Sequence, residues 1–84
     1  MHFKNIYMDS KKIIKSIILE RNRQDIKWGV QNHNIYKWLA ILSEEVGEVS
    51  KSALEGHLDD VKEELVQVAA VSVAIIESLV RNSE

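Results

Sequence analysis

The sequence predicts an all-α protein, and its composition and periodicity both support this. Among 84 residues there is no proline and there are three glycines, while 45% of the residues are hydrophobic. Apolar residues recur every three or four positions, which is typical of amphipathic helices, and no alternating run is long enough to predict a strand. We therefore expect three main helices in a single domain, residues 1–84.

The first helix is expected to begin near Asp9 or Ser10, because either side chain can cap it, and to end at about Lys27. Its isoleucines fall on one side and its lysines on the other, as in an ordinary amphipathic helix. Residues 1–8 are expected to form an N-terminal arm. The apolar residues that would pack from this arm are Phe3, Ile6 and Tyr7.

Residues 28–34 interrupt the helical periodicity, and Gly29 with Asn32 and Asn34 favours a loop there. The second helix is expected to run from Ile35 to Glu55, with Gly56 as its C-terminal stop. Its Trp38 is expected to pack between helices.

The third helix is expected to be capped by Asp59 or Asp60 and to end at about Arg81. The spacing of Asp60 and Glu63 matches a capping box, which would give Glu63 a local structural role. From residue 65 to residue 76 only two residues are polar, so nearly the whole circumference is apolar and must be buried. We therefore expect a second subunit to cover this helix, giving a homodimer or homotetramer with a four-helix-type bundle core.

Glutamates flank the apolar stripes of the second and third helices. Glu45 lies about 60° to one side of the stripe of its helix, and Glu48 lies about another 60° beyond it. Glu64 and Gln67 flank the other stripe, so antiparallel packing would gather these side chains into one pocket, which repels itself without a cation. The alternative is a solvated acidic face. The expected buried stripes are Leu42, Val46, Val49 and Ala53 on the second helix and Val61, Leu65, Val68 and Ser72 on the third.

The acidic segments resemble the signature of the all-α nucleoside triphosphate pyrophosphohydrolases, the MazG-like superfamily. Glu44-Glu45-Val-Gly-Glu48, followed after fifteen residues by Glu64-Leu-Val-Gln67, is similar to its pattern EExxE and ExxD. Residues 23–33 and 37–42 resemble a small phage and bacterial branch, and the matching segments span residues 21–77. Where the family has aspartate, this chain has Gln67, which offers a neutral carbonyl oxygen.

This resemblance implies hydrolysis of a ribo- or deoxynucleoside triphosphate to the monophosphate and pyrophosphate, with a role in removing surplus or non-canonical nucleotides. It implies Mg²⁺ or Mn²⁺ held by Glu45, Glu48 and Glu64, with Gln67 as a weaker ligand. Glu44 would orient or deprotonate the attacking water, so that the catalytic residues are Glu44, Glu45 and Glu48.

The loop after the first helix is the expected nucleotide side of the site. Without the resemblance, Trp28 is more simply a plug for the core and His33 a surface residue. The resemblance implies that the indole, amide and imidazole groups of this loop stack on a nucleobase and hydrogen-bond to it. Lys51 can reach a phosphate oxygen or remain solvated. The candidate substrate-binding residues are Gln24, Lys27, Trp28, Gln31, His33 and Lys51.

Charge and composition exclude several other classes. The net charge is −2 and no dense basic patch occurs, which gives no support for a nucleic-acid partner. The apolar segment of the third helix is too short to cross a membrane. The chain contains no cysteine, and Met1 to Ser10 lacks the apolar core of a leader peptide, which fits a cytoplasmic protein. A nucleotide- or metal-binding regulator with weak catalysis and a structural helical oligomer remain the alternatives.

Overall fold

The computed structural model describes residues 3–83, and the side chains of residues 9–83. The chain forms three helices, α1 (Phe3–Trp28), α2 (Ile35–Leu54) and α3 (Leu58–Arg81), and no strand occurs within the described range. This confirms the all-α class and the three main helices. No helix in the described part of the chain is both long and apolar enough to cross a bilayer.

The start of α1 differs from the sequence prediction. The helix begins at Phe3, so Asp9 and Ser10 lie inside it and do not cap it. Neither glycine nor proline interrupts residues 3–10, and the helical hydrogen bonds therefore continue through them. The predicted arm over residues 1–8 is thus wrong for the backbone of residues 3–8, whereas the packing of its side chains lies outside the described residues.

The ends of α1 and α2 follow the predicted loop and stop residues. Gly29 has φ of +72° and Gly56 has φ of +76°, a left-handed conformation that glycine adopts without steric cost. Asn34 caps α2, because its side chain accepts a hydrogen bond from the Lys37 backbone N–H at 2.9 Å. Helix α2 ends one residue before the predicted Glu55, which is its C-cap.

The predicted cap of α3 is wrong. The N-cap is His57, which makes no side-chain capping hydrogen bond, and Asp59 and Asp60 lie in the first helical turn. From that position their negative charges interact favourably with the positive, N-terminal end of the helix dipole. The capping-box role predicted for Glu63 is therefore also wrong.

Helix α3 lies between the other two helices. Helix α2 packs antiparallel to α3, since Ser52 bonds Glu64 near their connection while Trp38 packs with Val71 and Ile75 at the far end. Helix α1 packs on the adjacent side of α3, and no described Cα atom of α1 comes within 8 Å of one of α2. A cleft therefore opens between α1 and α2, with α3 as its floor.

The buried core is small and lies where α2 meets α3. Trp38 is 3% exposed, as predicted for a residue packed between helices, and the other buried apolar side chains belong to α3. The remaining members of this core are Ala70, Val71, Ala74 and Ile75. Within residues 9–83, many large apolar side chains are left at the surface of the chain.

The predicted buried stripes are only partly correct. Val46 is 47% exposed, Leu65 is 50% exposed and Ala53 is also exposed, while the other stripe residues are half-buried. Helix α2 is turned so that Trp38 and Ser52 face α3, and this rotation brings Glu45 towards the cleft. Val46 and Leu65 instead belong to an exposed apolar surface on α2 and α3, which we call the back face. It consists of Leu39, Val46, Leu65, Val73, Ile76 and Val80.

Candidate active site

The cleft encloses a cavity of about 270 Å³ to which all three helices contribute. Gln24 and Trp28 line it from α1, Gln31 from the loop, Glu45 from α2 and Gln67 from α3. The structure therefore brings two predicted metal-side residues and three predicted nucleotide-side residues to the same cavity. The apolar residues that complete the lining are Trp38, Ile41, Val71 and Ala74.

Glu45 is the carboxylate that reaches the cavity from α2. Burial raises its pKa above the ordinary glutamate value, and four neighbouring carboxylates raise it further. From the largest effect to the smallest, these carboxylates belong to Glu48, Glu44, Glu64 and Glu20. Carboxylates of all three helices therefore act on Glu45.

Glu64 provides a buried oxygen beside this charge. Its Oε1 accepts a hydrogen bond from the buried Ser52 hydroxyl at 2.9 Å. Its Oε2 is buried as well and has no hydrogen-bond partner. A buried carboxylate oxygen without a donor is costly unless a cation or a further donor approaches it.

Glu45 and Glu64 have the donor chemistry that suits a hard divalent cation, although Glu64 does not itself line the cavity. Carboxylate oxygens are the preferred ligands of Mg²⁺, and the unpaired oxygen of Glu64 together with the repulsion around Glu45 is the environment that such an ion relieves. In the described side chains, no three His, Cys, Asp or Glu residues are grouped closely enough to enclose an ion as they stand. Glu44 and Glu48 are exposed and do not line the cavity.

Gln67 belongs to a chain of side-chain hydrogen bonds that links α1 to α3. Its Oε1 accepts from Gln24 Nε2 at 3.3 Å, and the same Gln24 nitrogen donates to Glu20 at 3.2 Å. Gln24 is itself held by Arg21, whose Nη1 donates to Gln24 Oε1 at 3.0 Å. The carbonyl oxygen of Gln67 therefore already accepts one hydrogen bond from within the chain.

Glu20 is a carboxylate that the sequence analysis missed. Arg23 donates to both of its oxygens, at 2.9 and 2.6 Å, and these hydrogen bonds are the main reason why the pKa of Glu20 is lowered. Its position follows a recognisable signal, since Ile13, Ile17, Glu20 and Gln24 succeed one another at helical spacing along α1. Because Glu20 continues the line of Ile13 and Ile17, its position along α1 indicated that it faces α3.

The remaining predicted nucleotide-side residues lie around the cavity. Trp28 is 53% exposed, and the Lys27 ammonium lies 4.7 Å from the centre of its ring, a cation–π contact. His33 packs edge-on against Trp38 with ring centres 4.7 Å apart, and neither His33 nor Lys27 lines the cavity. Lys51 is exposed on α2 and also lies outside the cavity lining.

A second, smaller pocket of about 30 Å³ adjoins the cleft behind Trp38. Arg21 and Glu77 form an ion pair at 2.8 Å at this pocket, and Arg81 lines it as well. Trp38 is common to the two pockets, and its indole N–H is buried without a hydrogen-bond partner among the described residues. Neither Arg21 nor Arg81 was predicted from the sequence to belong to a site.

Comparison of the chain with models of known protein families, with curated proteins and with solved structures finds no match.

Proposed function

We propose that the protein is a Mg²⁺-dependent nucleoside triphosphate pyrophosphohydrolase, which converts a ribo- or deoxynucleoside triphosphate and water to the monophosphate and pyrophosphate. The observation that supports this most is the shared cavity, in which Glu45 and Gln67 lie with Gln24, Trp28 and Gln31. The acidic motifs, which resemble those of the MazG-like superfamily, supply the reaction type.

Glu45, Glu48 and Glu64 are the residues that would hold the cation. Bound Mg²⁺ would supply charge neutralisation at the phosphates and would polarise the phosphorus that is attacked. Glu44 lies on the same exposed side of α2 as Glu48 and would orient or deprotonate the attacking water. Lys51, one turn after Glu48, would bind a phosphate oxygen.

The other end of the cavity would take the nucleoside. Trp28 offers a half-exposed indole for stacking, and Gln31 offers an amide for hydrogen bonding to a base edge. The cavity volume of about 270 Å³ is close to the lower end of roughly 300–1,000 Å³ for small-molecule sites. It suits a base and part of the sugar, with the triphosphate extending towards the carboxylates.

The deciding experiment is turnover of a panel of ribo- and deoxynucleoside triphosphates with Mg²⁺ or Mn²⁺, alongside Glu48→Gln. Chromatography separates monophosphate and pyrophosphate from diphosphate and orthophosphate. We expect metal-dependent monophosphate and pyrophosphate, with a loss of about 100-fold or more in the variant. If a folded sample forms no product from any nucleotide, the proposed pyrophosphohydrolase activity is contradicted.

Gln67 favours a second candidate function, a nucleotide- or metal-binding regulator without turnover. Its oxygen accepts from Gln24, and it brings no charge where the family has aspartate. A nucleotide- or metal-binding regulator would bind nucleotide with Mg²⁺ in calorimetry but show no turnover in the same assay. A structural helical oligomer would show neither, and Mg²⁺ would not change its melting temperature.

We also propose that the chain works as a homodimer or homotetramer whose back faces form a four-helix-type core. The accessible surface is 6598 Å², about 1,500 Å² more than the roughly 5,100 Å² expected for a folded monomer of 9.6 kDa. If each of two subunits covers this excess, the dimer buries about 3,000 Å² in total. That area lies within the roughly 2,000–5,000 Å² that obligate dimers bury. The back face supplies apolar side chains for that contact on both α2 and α3.

A further inference from the structure

The loop between α1 and α2, residues 29–34, is held by the C-terminal turn of α3. The Asn32 side-chain oxygen accepts hydrogen bonds from Arg81 Nη2 at 3.1 Å and Nε at 3.3 Å, and from Asn82 Nδ2 at 3.2 Å. The buried Ser78 hydroxyl lies 3.5 Å from the same oxygen. One loop residue thus collects the donors of the last turn of α3, about fifty positions later in the sequence.

Arg81 also holds the neighbouring backbone. Its Nη2 donates to the Gln31 carbonyl oxygen at 3.1 Å, and Gln31 is one of the residues that line the cleft. The two ends of the loop are fixed separately, since the Gly29 N–H donates to the Asp25 carbonyl at 2.8 Å and Asn34 caps α2. The middle of the loop is held by Arg81 and its neighbours, together with the ring contact between His33 and Trp38.

This contact does not resemble an ordinary stabilising ion pair. Arg81 is an exposed side chain, and its partners are a backbone carbonyl and a neutral amide. The guanidinium presents several donors in a fixed planar arrangement, which suits it to holding two loop acceptors at once. Its bonds go to Asn32 and to the backbone of Gln31, a loop residue that lines the cavity.

We propose that Arg81, acting through Asn32 and the Gln31 carbonyl, is a positioning residue that sets the loop for nucleoside binding. This inference rests on the proposed function, because it assigns the nucleoside to the Gln31 end of the cleft. Arg81 touches no reacting group in this arrangement. Its loss weakens substrate binding and leaves the chemical step unchanged, so KM rises while kcat stays the same.

The test replaces Arg81 with methionine, which keeps much of the side-chain length and removes every donor. We expect KM for the preferred nucleotide to rise about tenfold, as suits the loss of a few hydrogen bonds, with kcat within about twofold of the wild type. Lys15→Met, at an exposed position of α1, is the matched control and should change neither constant. A fall in kcat with unchanged KM, or no change in either, would overturn the proposal.

The acceptor side of the contact gives a second pair of variants. Asn32→Asp keeps an oxygen acceptor for Arg81 and should retain a KM close to that of the wild type. Asn32→Leu has a similar shape but no acceptor, and should behave like Arg81→Met. If Asn32→Asp and Asn32→Leu have equal KM values, the hydrogen bonds do not position the loop.

Hydrogen exchange separates this inference from the proposed function. Amides of residues 30–33 should exchange faster in Arg81→Met than in the wild type, with exchange in the centre of α3 unchanged. If they exchange at the same rate, the contact does not hold the loop and the inference fails, whatever the activity. If the wild type turns over no nucleotide, the proposed function and the nucleoside-binding role fail together, even where exchange supports the contact.

Discussion

The cleft face and the back face of the α2–α3 pair have opposite chemistry. Leu39 and Val46 lie about 100–120° around α2 from the cavity-lining Glu45, and Leu65 and Ile76 lie about 160–180° around α3 from Gln67. The cleft face gathers carboxylates that raise the pKa of Glu45, whereas the back face consists of exposed aliphatic side chains. Because the core within the chain is small, the proposed association at the back face would stabilise a cleft in which neighbouring carboxylates repel one another.

The largest effect is expected at the back face, from Ile76→Glu. Ile76 is 60% exposed in the single chain and would be covered in the proposed assembly, so a carboxylate there must be desolvated without a partner. We expect the molecular mass in sedimentation equilibrium to fall to that of the monomer, and association to weaken by about 3 kcal/mol or more. Ala40→Glu, at an exposed position of α2 between the two faces, is the control and should keep the wild-type mass. A monomeric wild type would refute the role of the back face.

The next effect is expected at the cleft, from Glu45→Gln. Its raised pKa means that the folded state binds the proton more tightly than the unfolded chain. Without metal, its contribution therefore lowers stability as the pH rises through and above the ordinary glutamate range, and the folded state regains that stability as the pH falls. The variant should lose this component and melt at a higher temperature than the wild type at pH 7 in the absence of divalent ions.

Added Mg²⁺ should reverse that order for Glu45→Gln. The wild type should gain melting temperature with increasing Mg²⁺, whereas the variant should gain little, because a ligand has been removed. Differential scanning calorimetry across pH, with and without Mg²⁺, measures both effects, and the molecular mass should stay unchanged. Equal Mg²⁺ responses in the two proteins would show that Glu45 is not a ligand.

The smallest effect is expected from Gln67→Asp, which introduces the carboxylate that the pattern ExxD has at this position. The added charge should strengthen Mg²⁺ binding by roughly threefold to tenfold and lower metal-free stability by up to about 1 kcal/mol, since Glu20 and Glu45 lie nearby. Gln67→Asn has the same length as aspartate without the charge and is the matched control. Calorimetric titration with Mg²⁺ compares the three proteins, and equal affinities of the two variants would exclude Gln67 from the metal site.

The local sequence predicted the helices and most of their ends. Gly29 and Gly56 ended helices because glycine adopts a left-handed backbone without steric cost, and Asn34 supplied a side-chain cap. The starts of α1 and α3 were predicted wrongly. Asp9 has the side chain of a cap, but the helical backbone of α1 begins before it, at Phe3. Asp60 likewise lies inside α3, because the N-cap is His57.

By itself the sequence determined the helical class, the loop at residues 28–34 and the concentration of acidic residues on α2 and α3, because these follow from short-range spacing. Only the tertiary structure decided which residues of α2 and α3 are buried. Each of these helices has apolar residues on more than one face, and packing around Trp38 determines which face is turned to the other helix. The tertiary structure alone also placed Glu20 beside Gln67 and Arg81 against Asn32. Those contacts join residues more than forty positions apart, and their distances depend on how whole helices pack rather than on any local pattern.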